Sequence, residues 1–427
     1  MKWFKMASSL LLLAVCGLCL GGCRPAPHEA GQTGREEVHI PVTFIVDPNT
    51  GNRENEALVE AFNEQYQGIY YVDVTWIMET EEEYRQNLKR LNVTDNLPAV
   101  ITDLRMLPSL YRTMIDDRRI VDLKPYLEAD PEWLAAIEED TLAACTEADG
   151  RIYLLNEGTS VFTCSGMFWN EELFRQAGIT EFPATWEAFW QVCEQLESNG
   201  ITPLALHTEG TAWAPMLIAT AEAAGTQSGY EFMQTSLPDT YQNATGEQIA
   251  ETLTHLFDYT TDNALHSDFD AAYLNFFSGN TAMIPNGYWM LADIPEEWRD
   301  KVRFSAFPEG TLISSPETFG WAVTSSSTAQ VQAGAVEFLK FRTLQGIHSK
   351  EEYLSRDRMM MSEAEAGYID AFLRKSRIVP NYQVKWNSIL QEQTLGTYLP
   401  LLVNGEISTA DFLQAADLSI AEYDRER

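Results

Sequence analysis

Two different hydrophobic periods alternate between residues 40 and 102. The runs 40–46, 70–76 and 99–102 are short and rich in Val, Ile and aromatic residues, which is typical of strands. Between them, the segments 54–66 and 81–91 repeat apolar residues three or four positions apart, and this spacing predicts helices. Strands that alternate with helices indicate βαβ units and a mainly parallel sheet.

A strongly marked helix is predicted after Thr185, in the middle of the chain. Thr185 is a suitable N-cap, and Gly200 is a suitable stop. Trp186, Phe189 and Leu196 recur at helical spacing, so this stripe is predicted to be core. Trp190 is also assigned to core, and so is Trp76 in the second predicted strand.

Further along the chain, the pattern predicts two more strands and a helix. A strand at 281–284 is followed by Pro285-Asn286-Gly287, which is predicted to be a turn. A second strand is predicted at 320–324, and a helix from Ala329 to Phe341. The remainder to Arg427 is mostly helical in pattern.

The N-terminus has the features of an export signal. Two lysines precede an apolar run from Leu10 to Leu20, which is too short to span a membrane comfortably. The segment Leu20–Cys23 resembles the lipobox of bacterial lipoproteins, which implies cleavage before Cys23 and its acylation (palmitate). This predicts a signal peptide at 1–22, a flexible tether at 23–37 and a lipid anchor on the extracellular face of the cell membrane. The alternative is an ordinary signal peptide with an incidental cysteine.

Composition excludes several classes of function. Hydrophobic residues make up 45% of the 427 residues, which is enough to bury cores in two or three domains. The formal net charge is -34, so the chain lacks the cations that nucleic-acid phosphates and anionic lipid headgroups require. Nucleic acid is therefore not an expected partner. The count of 11 Trp invites a search for a stacking site.

Catalytic and metal motifs are not found in the sequence. After processing, Cys145, Cys164 and Cys193 remain, and the sequence does not decide whether the first two pair. Neither these cysteines nor the six His have the spacing of metal ligands. No nucleophile elbow, Walker A loop or dinucleotide fingerprint is present. No cofactor, no metal and no enzyme activity are expected.

Five sequence blocks, in a fixed order, resemble those of a known family. They are similar to blocks of the family 1 extracellular solute-binding proteins of ABC transporters, the sugar-binding group. The blocks are Asp149-Gly150-Arg151-Ile152-Tyr153, the stretch from Met167 to Ile179, the stretch from Pro183 to Ala205, the stretch from Phe276 to Trp289, and Ala335 to Phe341.

The resemblance implies a two-lobe α/β fold of the periplasmic-binding-protein type. Each lobe is expected to be a mixed, mostly parallel sheet flanked by helices, with a ligand cleft at the hinge. Crossovers are expected near residues 160–164 and 319–323. The predicted N-lobe is therefore 38–160 plus 320–362, and the predicted C-lobe is 161–319 plus 363–427.

The resemblance also implies a function. The chain is expected to be a monomeric, membrane-tethered bacterial receptor that captures a sugar and delivers it to the permease subunits of an ABC transporter. Sugars combine an apolar C–H face with a rim of hydroxyls, so a cleft for them needs aromatic faces and polar anchors. Because the chain is strongly acidic, neutral mono- or oligosaccharides are favoured over acidic sugars, and Trp-rich clefts favour oligosaccharides.

Candidate ligand contacts combine strand ends with aromatic positions of the family. Asp47, Asp103 and Arg105 follow predicted strands, where open α/β sheets bind ligands. Glu209 is a candidate polar anchor. The candidate stacking residues are Trp213, Trp289, Trp321 and Trp386, of which Trp321 is expected to line the hinge.

Two alternatives to a sugar receptor stay open from the sequence. The same fold can serve a non-sugar solute such as a polyamine, a peptide or a phosphate ester, and a cationic ligand would suit the acidic charge. The other alternative is an extracellular glycan-active enzyme or an adhesin. A receptor leaves its ligand intact, whereas an enzyme consumes it.

Overall fold

The computed structural model describes residues 36–426, except 46–52, 78–80, 103–107, 138–141, 143–144, 148, 156–163, 210–211, 235–237, 315–319 and 381–389. Residues 37–427 form one compact unit. The predicted signal peptide, Cys23 and the predicted tether up to residue 35 lie outside the described residues.

The described chain alternates strands and helices, as the hydrophobic pattern predicts. The strands are β1 (Val38–Ile45), β2 (Tyr70–Ile77), β3 (Val100–Thr102), β4 (Cys164–Asn170), β5 (Thr202–Leu204), β6 (Thr281–Gly287), β7 (Val302–Ser305), β8 (Thr311–Ser314), β9 (Trp321–Val323) and β10 (Arg377–Pro380). Single 3-10 turns lie at Phe257–Tyr259, Ala264–His266, Glu296–Trp298, Pro308–Gly310 and Arg358–Met360, and a π-helical segment lies at Leu390–Tyr398.

The helices are numbered in chain order over the described residues. They are α1 (Arg53–Gln65), α2 (Glu81–Val93), α3 (Pro108–Asp116), α4 (Lys124–Ala129), α5 (Pro131–Ala136), α6 (Glu171–Gln176), α7 (Trp186–Ser198), α8 (Trp213–Ala223), α9 (Gln227–Gln234), α10 (Ala244–Leu256), α11 (Phe269–Phe277), α12 (Met290–Asp293), α13 (Ala329–Ser355), α14 (Glu363–Arg374), α15 (Leu399–Val403) and α16 (Thr409–Glu426).

The first lobe is built on a four-stranded sheet in the order β2-β1-β3-β9. β1 is parallel to β2 over its whole length and parallel to β3, whereas β9 is antiparallel to β3. Apolar cores cover both faces of this sheet. One contains Ile40, Phe62 and Phe338, and the other contains Leu88 and Ile101. This lobe is the mixed, mostly parallel sheet that was expected.

The second lobe is built on a six-stranded sheet. Its order is β10-β8-β4-β6-β5, with β7 also pairing with β4. β4 runs antiparallel to β6, β7 and β8, whereas β5 is parallel to β6 and β10 is parallel to β8. All seven residues of β4 are buried because helices cover both faces of the sheet. The fold is thus a two-lobe α/β architecture, but the expectation of a mostly parallel sheet is wrong for this lobe, because its central strand β4 pairs antiparallel with three neighbours.

Within the described residues, Leu155, Trp321 and α13 lie where the chain passes between the two sheets. Leu155 and Trp321 form an antiparallel bridge in which each N–H donates to the other carbonyl at 3.0 Å. Gly320 lies so close to Leu154 that a Cβ added to the glycine would be 2.4 Å from the Leu154 Cβ. The helix α13 places Phe338 in the first lobe and Tyr353 against the second. The exact lobe boundaries stay a prediction.

Two local predictions can be compared directly with the structure. Thr185 caps α7, and its hydroxyl accepts a hydrogen bond from the Ala188 N–H at 3.2 Å, as predicted. The turn predicted at 285–287 is wrong, because β6 continues through Gly287, which lies opposite Ser165 of β4. Pairing with the central strand outweighs the local turn preference of Pro-Asn-Gly. The helix predicted to end at Phe341 continues to Ser355.

Candidate functional site

The loops that follow β5 and β6 bring two tryptophans together at one edge of the second sheet. β5 and β6 are parallel neighbours, so their carboxyl ends lie at the same edge. The chain leaves β6 at Gly287 and reaches Trp289 two residues later. The chain leaves β5 at Leu204 and reaches Trp213, the first residue of α8. Ligands of open α/β sheets bind at such edges.

Four rings form a continuous ladder at this edge, which we call the aromatic ladder: Phe269, His207, Trp213 and Trp289. The Trp213 and Trp289 ring centroids are 5.6 Å apart and tilted by 46°. His207 lies nearly parallel to Trp213 at 6.3 Å, and its other contact is edge-on with Phe269 at 5.8 Å. Trp289, the outermost ring, is 41% exposed. The ladder therefore presents an apolar ring to solvent and supports it from behind.

Backbone hydrogen bonds hold the loop that carries Trp213. The N–H groups of Thr208 and Glu209 donate to the Ser267 carbonyl at 3.2 and 3.0 Å, and the Ala212 N–H donates to the Thr208 carbonyl at 3.1 Å. Ala212 has a φ of 52°, a left-handed conformation that costs an alanine about 1 kcal/mol. Strain of this kind is frequent at functional sites. Ala212 directly precedes Trp213, so its left-handed conformation sets the direction in which α8 begins.

Glu209 supplies a carboxylate at this edge. The residue is exposed, and its side chain makes no hydrogen bond or ion pair with other residues that the structure describes. A carboxylate beside an aromatic face is the combination that a polyhydroxylated ligand needs, because it accepts hydrogen bonds from hydroxyls. Glu209, Trp213 and Trp289 thus follow the carboxyl ends of two neighbouring strands, and their role as ligand contacts stays a prediction.

Gly287 determines where the Trp289 ring can lie. The ring folds back over the Gly287 Cα, and a Cβ at this position would lie 2.2 Å from the Trp289 Cη2. Such a separation is far inside van der Waals contact. Only glycine therefore permits the observed ring position.

We expect Gly287→Ala to displace the Trp289 ring without unfolding the protein, because the ring is partly exposed and has room to move. The near-ultraviolet circular dichroism of the Trp213–Trp289 pair should change, and the unfolding midpoint should stay near that of the parent. The matched control is the double variant Gly287→Ala/Trp289→Ala, whose spectrum should equal that of Trp289→Ala alone. A Gly287→Ala spectrum identical to the parent's would contradict this account.

Asn286 is a polar residue of this region that the sequence analysis placed in a turn. It is 1% exposed, and its Oδ1 accepts a hydrogen bond from the Gly287 N–H at 2.7 Å. Its Nδ2 is buried and has no hydrogen-bond partner among the residues that the structure describes. A buried amide N–H group without an acceptor is costly, so water or a ligand oxygen would stabilise it.

His207 is held in its neutral form. Burial lowers the pKa of its imidazole from 6.5 to about 4, although the charge of Asp268 acts in the opposite direction. A neutral imidazole packs between Trp213 and Phe269 without the cost of desolvating a charge. No sequence motif marks this role, because it depends on packing.

The depressed pKa of His207 makes stability depend on pH. Between pH 6.5 and about pH 4 the unfolded chain binds a proton at this position that the folded chain does not bind. Its contribution to the free energy of unfolding therefore falls as pH falls, by roughly 2 kcal/mol between pH 7 and pH 5. Chemical denaturation of His207→Phe at both pH values should show a smaller loss than the parent. The control His348→Gln, at an exposed histidine, should behave like the parent.

The structure places one expected contact residue elsewhere. Trp321 is 5% exposed and packs in the first lobe, where the Arg342 guanidinium lies 4.1 Å from its ring centroid. It has little free surface for a ligand in this arrangement. Other candidates lie outside the described residues: Asp47, Asp103, Arg105 and Trp386. Trp190 packs against the core as predicted and stacks on His255 at 4.3 Å.

The described residues contain neither a metal-ion cluster nor a membrane-spanning helix. Within the described ranges, no group of three or more His, Cys, Asp and Glu side chains is placed to hold a metal ion. No helix in the described part of the chain is long and apolar enough to cross a bilayer.

Several solved structures share this architecture. A chitin oligosaccharide binding protein has a TM-score of 0.69 at 19% identity, over 91% of this chain and 99% of that chain. A Streptococcus pneumoniae solute-binding protein solved with the blood group A-trisaccharide has a TM-score of 0.68 at 16% identity, over 89% and 98%. A family 1 extracellular solute-binding protein from Bifidobacterium longum subsp. infantis has a TM-score of 0.62 at 17% identity, over 90% and 99%.

These identities are low, so the structural likeness shows the fold. No curated protein matches the chain by sequence. A family model described as bacterial extracellular solute-binding protein matches residues 57–345, which is more than half of the chain. Together with the two-lobe fold, this match shows that the chain belongs to the bacterial extracellular solute-binding proteins.

Proposed function

We propose that this protein is a lipid-anchored extracellular receptor that captures a neutral oligosaccharide between its lobes and delivers it to an ABC permease. The anchor is proposed to be the acylated Cys23, and the residues up to 37 are proposed to be its tether. The protein binds and releases its sugar without cleaving it. The lobes are proposed to close around the ligand by a hinge motion.

The observation that carries the sugar assignment is the pair of tryptophans at the edge of the second sheet. Trp289 offers an exposed ring face, and Trp213 lies beside it at 5.6 Å. The C–H face of a pyranose packs well on such a ring, because both surfaces are flat and apolar. The Glu209 carboxylate is proposed to bind hydroxyls at the rim of that sugar.

Two further arguments favour a neutral oligosaccharide. Two tilted rings in contact offer apolar surface to more than one sugar ring, and two of the similar solved structures are named for oligosaccharides. The net charge of -34 raises the energy of an approaching anion, which disfavours acidic sugars. The same charge would suit a cationic ligand, so cations belong in the test.

The test is a thermal-shift screen of the soluble protein beginning at Arg24, with neutral oligosaccharides, acidic sugars and polyamines. A ligand at about 100 times its Kd should stabilise the folded protein by roughly 2.7 kcal/mol. A rise in the unfolding temperature with one neutral oligosaccharide, which is then recovered intact, supports the proposal. A rise with polyamines alone would replace the sugar by a cation, and recovery of a cleaved sugar would indicate an enzyme.

The anchor is tested separately from the ligand. We expect the full chain expressed in a bacterium to incorporate labelled palmitate, and Cys23→Ser to lose both the label and its association with membranes. Cys193→Ser, at a buried cysteine of the second lobe, is the control and should keep both. Equal labelling of the Cys23→Ser variant would refute the anchor and leave the sugar assignment untouched.

A further inference from the structure

Three tyrosines support the binding edge from the face of the second sheet opposite to the aromatic ladder. Tyr288, Tyr353 and Tyr368 pack in the core on one side of this sheet, whereas Trp213 packs against the core on the other side. The Tyr288 ring centroid lies 5.4 Å from that of Tyr353, on α13, and 5.2 Å from that of Tyr368, on α14. Tyr288 is thus held by rings from two helices. We call these three residues the tyrosine brace.

Hydrogen bonds to the first residue of β4 complete the brace. The Tyr288 N–H donates to the Cys164 carbonyl at 3.0 Å, and the Cys164 N–H donates to the Tyr368 hydroxyl oxygen at 2.9 Å. The same strand residue therefore bonds to the backbone of Tyr288 and to the side chain of Tyr368. Together with the ring contact between the two tyrosines, these bonds fix the backbone of Tyr288.

Trp289 lies between two residues that the same core anchors. Tyr288 precedes it, and Met290, which follows it, is 0% exposed. The Leu291 N–H also donates to the Tyr288 carbonyl at 3.0 Å. The Trp289 ring itself turns back over Gly287. Because consecutive Cα atoms are held about 3.8 Å apart, a shift of Tyr288 carries Trp289 with it.

We propose that Tyr353 is a positioning residue for the sugar site: its ring holds Tyr288 in place, and Tyr288 in turn sets the position of the Trp289 ring. Tyr353 and Tyr288 meet edge-on, at an interplanar angle of 80°, which is an arrangement that aromatic pairs prefer. The consequence for sugar affinity rests on the proposed function, whereas the position of the Trp289 ring is a property of the free protein. The two parts can therefore be tested separately.

The first experiment needs no ligand. Tyr353→Leu keeps an apolar side chain but removes the ring, so we expect Tyr288 to move and the Trp289 ring to move with it. The circular dichroism of the free protein should change at the long-wavelength edge of the near ultraviolet, where only tryptophan absorbs. In a Trp289→Ala background the same substitution should leave this signal unchanged. Tyr353→Phe keeps the ring and should keep the parent spectrum.

The second experiment measures affinity for the sugar identified by the thermal-shift screen. We expect Tyr353→Leu to weaken binding about fivefold, because residues that share a packed contact are energetically coupled. It should cause no further loss in the Trp289→Ala background, whereas general damage to the fold would weaken both proteins. The control Phe372→Leu truncates a buried ring of the same core, one helical turn after Tyr368, and should keep the parent affinity and tryptophan spectrum.

Several results would overturn the proposal. They are a parent-like tryptophan spectrum for Tyr353→Leu, a spectral change that persists without Trp289, and a Tyr353→Phe variant that behaves like Tyr353→Leu. Tyr288→Leu removes the other ring of the same contact and should reproduce the spectral change, so the test stands even if Tyr353→Leu does not fold. If the parent binds no sugar, the proposed function fails, and the spectra still decide whether Tyr353 positions Trp289.

Discussion

Trp289→Ala should weaken binding of the oligosaccharide by about 30-fold or more, because truncating a central aromatic contact typically costs at least 2 kcal/mol. The folded protein should lose less than about 1 kcal/mol of stability, since the ring is 41% exposed and lies outside the cores. Isothermal titration with the sugar identified by the thermal-shift screen measures the first effect, and urea denaturation measures the second.

The matched control for this substitution is Tyr126→Ala. Tyr126 is 39% exposed, close to the value for Trp289, but it lies on α4 in the first lobe. Its removal should change neither sugar affinity nor stability by a comparable amount. If Trp289→Ala binds the sugar as tightly as the parent, the stacking assignment is wrong. If both variants lose affinity, the effect reflects general damage to the fold.

Tyr368→Ala should lower the free energy of unfolding by about 4 kcal/mol, the largest stability effect we expect. Tyr368 is fully buried on α14, and its ring packs against Tyr288 and Phe304 at 5.2 and 5.0 Å. Loss of a buried aromatic ring leaves a cavity, and such losses typically cost 3–5 kcal/mol. Urea denaturation followed by far-ultraviolet circular dichroism measures the change.

Tyr368→Phe separates the ring from its hydroxyl. The Tyr368 oxygen accepts a hydrogen bond from the Cys164 N–H at 2.9 Å, at the first residue of β4. Phenylalanine keeps the packing but leaves that buried N–H without this acceptor, which should cost about 1–2 kcal/mol. A loss from Tyr368→Phe as large as that from Tyr368→Ala would show that the hydrogen bond, rather than the packing, dominates at this position.

Those parts of the fold whose signals are local could be predicted from the sequence. β1 and β2 follow from dense β-branched and aromatic residues, and the start of α7 follows from Thr185 and its cap. The prediction failed at Pro285-Asn286-Gly287, where local turn chemistry competes with pairing to β4. Pairing with β4 over five register positions decides that competition, and none of these pairs is visible in the local sequence.

The candidate site was predicted in outline, but not in its supporting residues. Trp213 and Trp289 could be proposed because the family resemblance places aromatic contacts at these positions. His207 was missed because a lone histidine carries no signal until its neighbours are known, and Gly287 because its importance lies in the ring that covers it. The sequence also did not reveal that the Arg342 guanidinium lies over the ring of Trp321, because that contact joins a strand to a distant helix position.

The helix α13 joins the two lobes, so the proposed lobe movement would deform it. It has 27 residues, so it is about 40 Å long, and its two ends are fixed in the cores of different lobes. Residues 344–350 between those ends are only half-buried or exposed, and they include Gly346. The proposed rotation of one lobe against the other would therefore bend or twist this helix, and residues 344–350 are the part between the two cores that packing holds least. A helix bent in this way stores elastic energy, which would favour a return to the arrangement in which the helix is least bent.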